Sequence, residues 1–329
     1  MRGFLIRRAA GALFVLFALS VVVYTAFYVA PGDVAQIACG PRCSPAQVAQ
    51  VSAQLHLGDP LYVQYAHFVE ALFAGRDYST GTGVLHCPAP CLGLSYQSDQ
   101  QVTALILTKL PATASLVAGA FVLWMLLGVG TGLLSVWRRG RPTERILTWI
   151  TLAGLATPVF VIGLLLIIIL VTALQILPFP DYVPLTDDPE QWAWNLLLPW
   201  ISLALVSAAP YARMTRSAML ETLAEDHVRT FRAYGVGERT LVGRHALRGA
   251  LAPVIALGAL DIGSMFGGAV LTESLFGIPG VCRELVAAVK NVDLPVVVGL
   301  VLVTGFFVVL ANAVADVLQA MADRRVVLA

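Results

Sequence analysis

The chain has 329 residues, of which 58% are hydrophobic and only 12% charged, and its mean hydropathy is +0.80. An ordinary soluble domain carries about 25% charged residues, so 21 basic and 20 acidic side chains are too few to clothe a soluble fold of this size. This excludes most soluble enzymes, disordered tails and coiled coils, and a net charge of +1 gives no basic surface for nucleic acid; a membrane protein with segregated charges remains.

A helix crosses the hydrocarbon in about 20 residues, and uncharged runs mark where. The first is Ala9–Val29, after a basic start. It is longer than the apolar stretch of a secretion signal, and Tyr28-Val29-Ala30 is a poor cleavage site, so a retained first span is expected. Leu110–Val136, Ile146–Pro180, Gln191–Ala212 (apolar from Leu196), Gly249–Leu271 with Asp261 as its only charge, and Leu294–Ala315 follow. That makes six helical spans. None alternates with a period of two, which disfavours a β-barrel. With Met1 on the cytoplasmic side, sixteen of the 21 basic residues fall on that side, so both termini are expected there.

The expected division is span 1 with the N-terminus at 1–29, an extracytoplasmic domain at 30–108, span 2 at 109–136 and span 3 with its exit at 146–178. An acidic outer loop follows at 179–195, span 4 at 196–212 and a charged cytoplasmic region at 213–250. Span 5 covers 251–275, an outer loop 276–293, span 6 294–318 and a cytoplasmic tail 319–329.

Within 30–108, Ser44-Pro45 reads as an N-cap with proline at the first helical position, opening a helix to about Leu55. Leu61, Tyr65, Phe68 and Leu72 give Pro60–Phe73 a helical period. Asp77–Ser98, rich in Gly, Thr, Ser and Pro, reads as loop. Cys39 and Cys43, then Cys87 and Cys91, lie in this oxidising location, so disulfides are expected; three pairings are open. Zinc held by His86 with the cysteines, and free thiols, are the alternatives. Cys282 is left over. The acidic 179–195 loop reads as solvated surface, and Trp192, Trp194 and Trp200 fit an interfacial belt.

The 213–250 region is too charged for a span and too long for a simple link. Glu225 and Asp226 open a short helix that Gly235 ends, and Thr240–Leu251 is helical again. Such a basic projection suits a groove on another protein or an anionic lipid surface. The chain has no phosphate-binding GxxxxGK[ST] loop and no HExxH or GxSxG site, so no catalytic residue, metal site or cofactor is expected in it. In the bilayer, Asp261 is the clear ionisable residue, expensive unless it faces water or a partner. With Ser264, Gly267 and Gly268 it is a candidate for lining a pathway or for close packing. Glu273 and Asp316 lie near span ends and are expected to reach interfacial water or nearby basic groups.

Several stretches together resemble a known family. They are FLIRRAAGALFVLFALSVVVYTAFYVAPGD, LGDPLYVQYAHFVEALFAGRDYS and KLPATASLVAGAFVLWMLLGVGTGLLS, then EDHVRTFRAYGVGERTLVGRHALRGALAPVI and GGAVLTESLFGIPGVCRELVAAVKNVDLPVVVGLVLV. In order and spacing the chain resembles a permease subunit of the bacterial dipeptide, oligopeptide and nickel ABC importers, the type with a long outer segment after span 1. The resemblance implies an all-α, six-span type I importer permease. In that family a coupling helix fits a cleft on a separate ATPase. The matching residues here are Glu225, Asp226, Arg229, Thr230, Phe231, Arg232, Ala233, Tyr234 and Gly235. Phe231 stands where alanine is usual and Tyr234 where lysine is usual, which implies a bulkier contact. The implied partners are a homologous second permease, two ATPase subunits that bind ATP and Mg, an extracytoplasmic solute-binding protein and membrane lipid. Peptides are the leading implied substrate, with nickel chelates, glutathione or haem-like ligands open. An ion-coupled transporter or channel using Asp261 is the competing reading of the residues.

Overall fold

The computed structural model describes residues 2–28, 35–36, 44–54, 58–80, 83–95 and 97–322. The chain is helical. Among the described residues, four helices are long and apolar enough to cross a bilayer, and six spans result when each of two bent helix pairs counts as one. The described residues group into two compact units, one built on Ala112–Ile278 and the other on Leu5–Pro111 with Pro279–Val309.

The second unit starts from helix α1, Arg2–Tyr28. Helices α2 (Pro45–Gln54) and α3 (Leu61–Ala74) lie close to the sequence expectation. Tyr24 of α1 stacks against Phe68 of α3 at 5.2 Å, and the hydroxyls of Ser20 and Tyr65 are hydrogen-bonded at 2.8 Å. Asp77–Ser98 departs from the loop expectation. Strands β1 (Arg76–Thr80) and β2 (Gly83–Cys87) form an antiparallel hairpin with Arg76 opposite Cys87 and Asp77 opposite His86. Composition misled because the glycines and prolines sit at the ends of these strands and not within them. Cys87 and Cys91, both fully buried, form a disulfide with Cα atoms 5.6 Å apart. His86 instead faces Asp77 across the hairpin, Nδ1 to Oδ1 at 2.5 Å. Cys39 and Cys43 lie outside the described residues. Gly75 approaches β2 so closely that an added Cβ would lie 2.7 Å from the Cys87 carbonyl oxygen; its φ of +79° favours glycine as well. Burial holds the Tyr78 phenol above its usual range, while the Arg76 guanidinium, 5.5 Å from the ring centre, acts the other way. Leu92, Val102, Ile106, Val281, Val297 and Leu300 form the apolar core of this unit. A helix, Val281–Lys290, occupies the 276–293 stretch and buries Cys282.

The first unit is built around two long helices, α4 (Val102–Trp137, from Ala112 onward) and α5 (Pro189–Ala224). Asp188 caps α5, accepting from the backbone N–H groups of Glu190 and Gln191 at 3.0 Å. The helix continues well past Ala212, the expected end of span 4. Three glycines let α4 and α5 approach. Gly119 lies under the Trp200 ring, Gly128 against Tyr211 and Gly132 against Thr215. Trp200 Nε1 donates to the Ser115 carbonyl at 3.0 Å across the same seam.

Between these helices in the chain, the Ile146–Pro180 run, read as one span with its exit, is bent. Helix α6 (Pro142–Ala156) and helix α7 (Val159–Leu166, continued by a π-helical turn Ile167–Ala173) meet at 106°. The cause is local: Pro158 pushes Thr157 out of the helical region, to φ −100° and ψ 126°. Beyond Ala224 come α8 (Asp226–Ala233), a short turn of helix at Glu238–Thr240 and a π-helical stretch Leu241–Ala246. Helix α9 (Leu247–Gly268) follows directly, and α10 (Val270–Leu275) follows a break at Ala269. The last helix is Leu294–Ala322.

At Gly128 an added Cβ would lie 2.6 Å from Tyr211 Cβ and 3.0 Å from the Ala208 carbonyl oxygen, whereas Gly130 has nothing within 4 Å. Gly128→Leu is therefore expected to lower stability by about 1–3 kcal/mol and Gly130→Leu to be tolerated, as thermal unfolding of the detergent-solubilised protein would show.

Candidate functional site

The charged segment after α5 folds as a helix, a turn and a helix. Its foundation is apolar: Val136 of α4, Met219 of α5, Val242 and Ala246 of the π-helical stretch, and Ala250 of α9 form a buried cluster. Helix α8 packs against α5 and the π-helical stretch; its Val228 is fully buried while most of the helix is exposed. Glu225 has extended backbone and precedes the helix; Asp226 in the first turn and Arg232 in the last complement the helix dipole.

The end of α8 is a Schellman motif. Gly235 N–H donates to the Arg232 carbonyl at 3.1 Å and Val236 N–H to the Phe231 carbonyl at 3.1 Å. Gly235 has φ +82°, which a β-branched residue adopts only at a cost. Ion pairs link neighbours along the segment: His227 with Glu225 at 3.0 Å, Arg229 with Asp226 at 3.4 Å, and Arg232 with Glu238 at 2.8 Å. All are exposed and contribute little stability. Thr230 Oγ1 donates to the Asp226 carbonyl at 3.0 Å. Phe231, half-buried, stacks on His245 with ring centres 4.7 Å apart. Ala233 is exposed, and Tyr234 projects with 83% of its surface exposed. The structure thus brings Glu225 through Gly235 together as one raised element.

The polar groups inside the helical unit lie elsewhere. Asp261 on α9 has a partner that the sequence did not disclose: Tyr211 Oη donates to its Oδ2 at 2.5 Å. Tyr211 is fully buried, lies against Gly128, and its ring centre is 6.2 Å from that of Trp124. Ser264 turns its hydroxyl back to the Asp261 carbonyl at 2.9 Å, and Gly267 and Gly268 close α9. Glu273 does not reach interfacial water. It is fully buried on α10, and Thr113 Oγ1 donates to its Oε1 at 2.6 Å. Thr113 and Glu273 are 160 positions apart, and no periodicity in one sequence links residues at that separation. At the other end of α5, Arg216 pairs with Glu144 at 2.5 Å, and Glu144 accepts from Gly140 N–H at 2.7 Å, fixing the turn before α6.

Among the described residues, no three His, Cys, Asp or Glu side chains group as metal ligands. Among them, Ala112–Ile278 holds buried polar pairs and a capped, exposed helix, α8.

Comparison with known proteins decides the family. The binding-protein-dependent transport system inner membrane component profile matches residues 104–328, and the N-terminal profile of the same membrane component matches residues 1–117. The chain belongs to this family of transporter membrane components. It is 32% identical to a probable peptide ABC transporter permease of Sinorhizobium fredii, over 98% of each chain. It is 34% identical to a probable D,D-dipeptide transport system permease of Escherichia coli, over 97% of this chain and 96% of that one. A glutathione transport system permease of Escherichia coli is 32% identical over 97% of each. The protein is therefore a multi-pass inner-membrane permease, a transport component of an ABC importer.

For this permease the Tyr211–Asp261 pair is expected to be a coupled unit. Hydrogen bonds between membrane helices average about 0.6 kcal/mol and reach about 1.7 kcal/mol. A double-mutant cycle of Tyr211→Phe and Asp261→Asn, read by unfolding in mixed micelles, is expected to give a coupling in that range.

Proposed function

We propose that this permease imports peptides and that the Glu225–Gly235 element is its coupling helix, docking in a cleft of a separate ATPase subunit. The raised helix α8 carries this reading. A segment anchored by one buried valine, capped by glycine and exposing its charged face and Tyr234 is built to contact something outside the chain. The relatives named for peptide, D,D-dipeptide and glutathione transport support peptides as the substrate class.

In this reading both termini are cytoplasmic, with sixteen of 21 basic residues on that side. Residues 30–108 form the extracytoplasmic domain that meets a solute-binding protein, and 213–250 form the coupling region. A homologous permease supplies the other half of the pathway, and two ATPase subunits hold ATP and Mg. Closure of the ATPase pair pushes on α8. The push passes through Val228 and the cluster of Met219, Val242 and Ala246 into α5 and α9, which tilt together. The energetic role of this chain is to be differently stable in two packed states, so that the motor's preference for one of them opens the pathway. Asp261, Ser264, Gly267 and Gly268 belong to the moving helix, with Asp261 held by Tyr211 rather than free to carry ions.

Gly235→Val and the charge reversal Glu225→Lys with Asp226→Lys are expected to reduce co-purifying ATPase subunits and ATP-driven peptide uptake, with permease levels in the membrane retained. Asp261→Asn is expected to leave uptake dependent on ATP. Uptake in reconstituted vesicles that lack any ATPase, or labelling of cysteines placed in Arg213–Pro253 from outside intact cells, would overturn the proposal.

A further inference from the structure

Three uncharged runs of the sequence stop at one place in the fold. Leu110–Val136 ends just after Ser135, Ile146–Pro180 begins just before Leu147, and Gln191–Ala212 ends just before Arg213. Ser135, Leu147 and Arg213 all line one open groove of about 660 Å³ between α4, α5 and α6. Where an apolar run gives way to charge, a span leaves the hydrocarbon, so the groove lies at headgroup level.

Its chemistry is two-sided. Arg213 and Arg216 bring two guanidiniums. Arg216 is matched by Glu144, yet its Nε is buried without an acceptor. Arg213 is exposed, and the lining residues, among those described, include no acid. One positive charge is left over. The exposed turn Arg138–Arg141 and Arg145 add potential of the same sign. The threonines supply the complement. Thr131, Thr148 and Thr151 donate their hydroxyl hydrogens to the backbone carbonyls of Leu127, Glu144 and Thr148 at 2.6, 2.9 and 2.8 Å. Their oxygens therefore turn lone pairs, not protons, toward a ligand. Leu147, Leu152, Pro210 and Met214 supply the apolar part.

We propose that this groove binds an anionic phospholipid whose headgroup carries hydroxyls. Its phosphate diester is met by Arg213, with Arg216 beside it; the headgroup hydroxyls donate to Thr148 and Thr151; an acyl chain follows Leu152 and Met214. Basic pockets between spans recognise anionic headgroups in this way. A phosphocholine headgroup has no net charge to offer and no hydroxyl to donate, and a free phosphate leaves the apolar wall uncovered.

The test counts lipid retained by the purified transporter complex in native mass spectra after exposure to phosphatidylglycerol or phosphatidylcholine. Phosphatidylglycerol is expected to be retained in preference. Arg213→Gln is expected to cut that retention by about fivefold, with thermal unfolding in phosphatidylcholine unchanged. Arg213→Lys keeps the charge and is expected to keep most of the retention. Thr148→Val with Thr151→Val is expected to weaken retention of phosphatidylglycerol more than that of phosphatidic acid, which lacks the headgroup hydroxyls. Equal retention of the two lipids, or an Arg213→Gln variant that binds as the parent does, overturns the proposal. Displacement of the lipid by millimolar inorganic phosphate alone would instead assign the groove to a soluble anion.

Discussion

Helices α4 and α5 come close at Gly119, Gly128 and Gly132, where the Trp200 ring, Tyr211 and Thr215 fill the space a side chain would take, and this seam governs the helical unit. Lipid chains are as apolar as leucine, so two membrane helices gain little by burying apolar surface against each other; they gain from fit and from polar pairs. Here the fit comes from glycines that admit Trp200, Tyr211 and Thr215. The polar pairs depend on it. Tyr211 reaches Asp261 from a position set by Gly128, and Trp200 reaches the Ser115 carbonyl across Gly119. The same helix then carries Met219 into the cluster with Val136, Val242, Ala246 and Ala250.

Much of this was legible in the residues. The uncharged runs fall on the four long apolar helices and the two bent pairs, and Glu225-Asp226 with Gly235 bracketed α8 within a residue, because caps and breakers act locally. What lay out of reach was of two kinds. Partners distant in sequence, such as Thr113 with Glu273 and Tyr211 with Asp261, leave no period to read. Glu273 looked like an interfacial acid because it sits near the end of an apolar run; the break at Ala269 places it on a separate short helix and buries it. The other kind was local but ambiguous. Thr157-Pro158 lies within a run of apolar residues, and hydropathy is blind to the turn it imposes. The hairpin at Arg76–Cys87 was hidden by the glycines and prolines at its ends.

Polar groups are distributed with a consistent logic. Inside the helical unit, Thr113 with Glu273 and Tyr211 with Asp261 are buried or half-buried and paired, as the low dielectric requires. On α8 the ion pairs are exposed and weak, as water screens them. Phe231 is the exception on that helix, held against His245 and contributing to the base rather than to the exposed face.

Helix α5 has 36 residues and two internal prolines, Pro199 and Pro210. At about 1.5 Å per residue it is roughly 54 Å long, so a swing of about 10° at one end carries the other through about 9 Å. Each proline withholds one amide from the helical ladder, releasing the carbonyls of Asn195 and Val206. The rod is thus stiff along most of its length with two compliant joints, and leverage applied near Ala224 is filtered by their bending before it reaches Trp192.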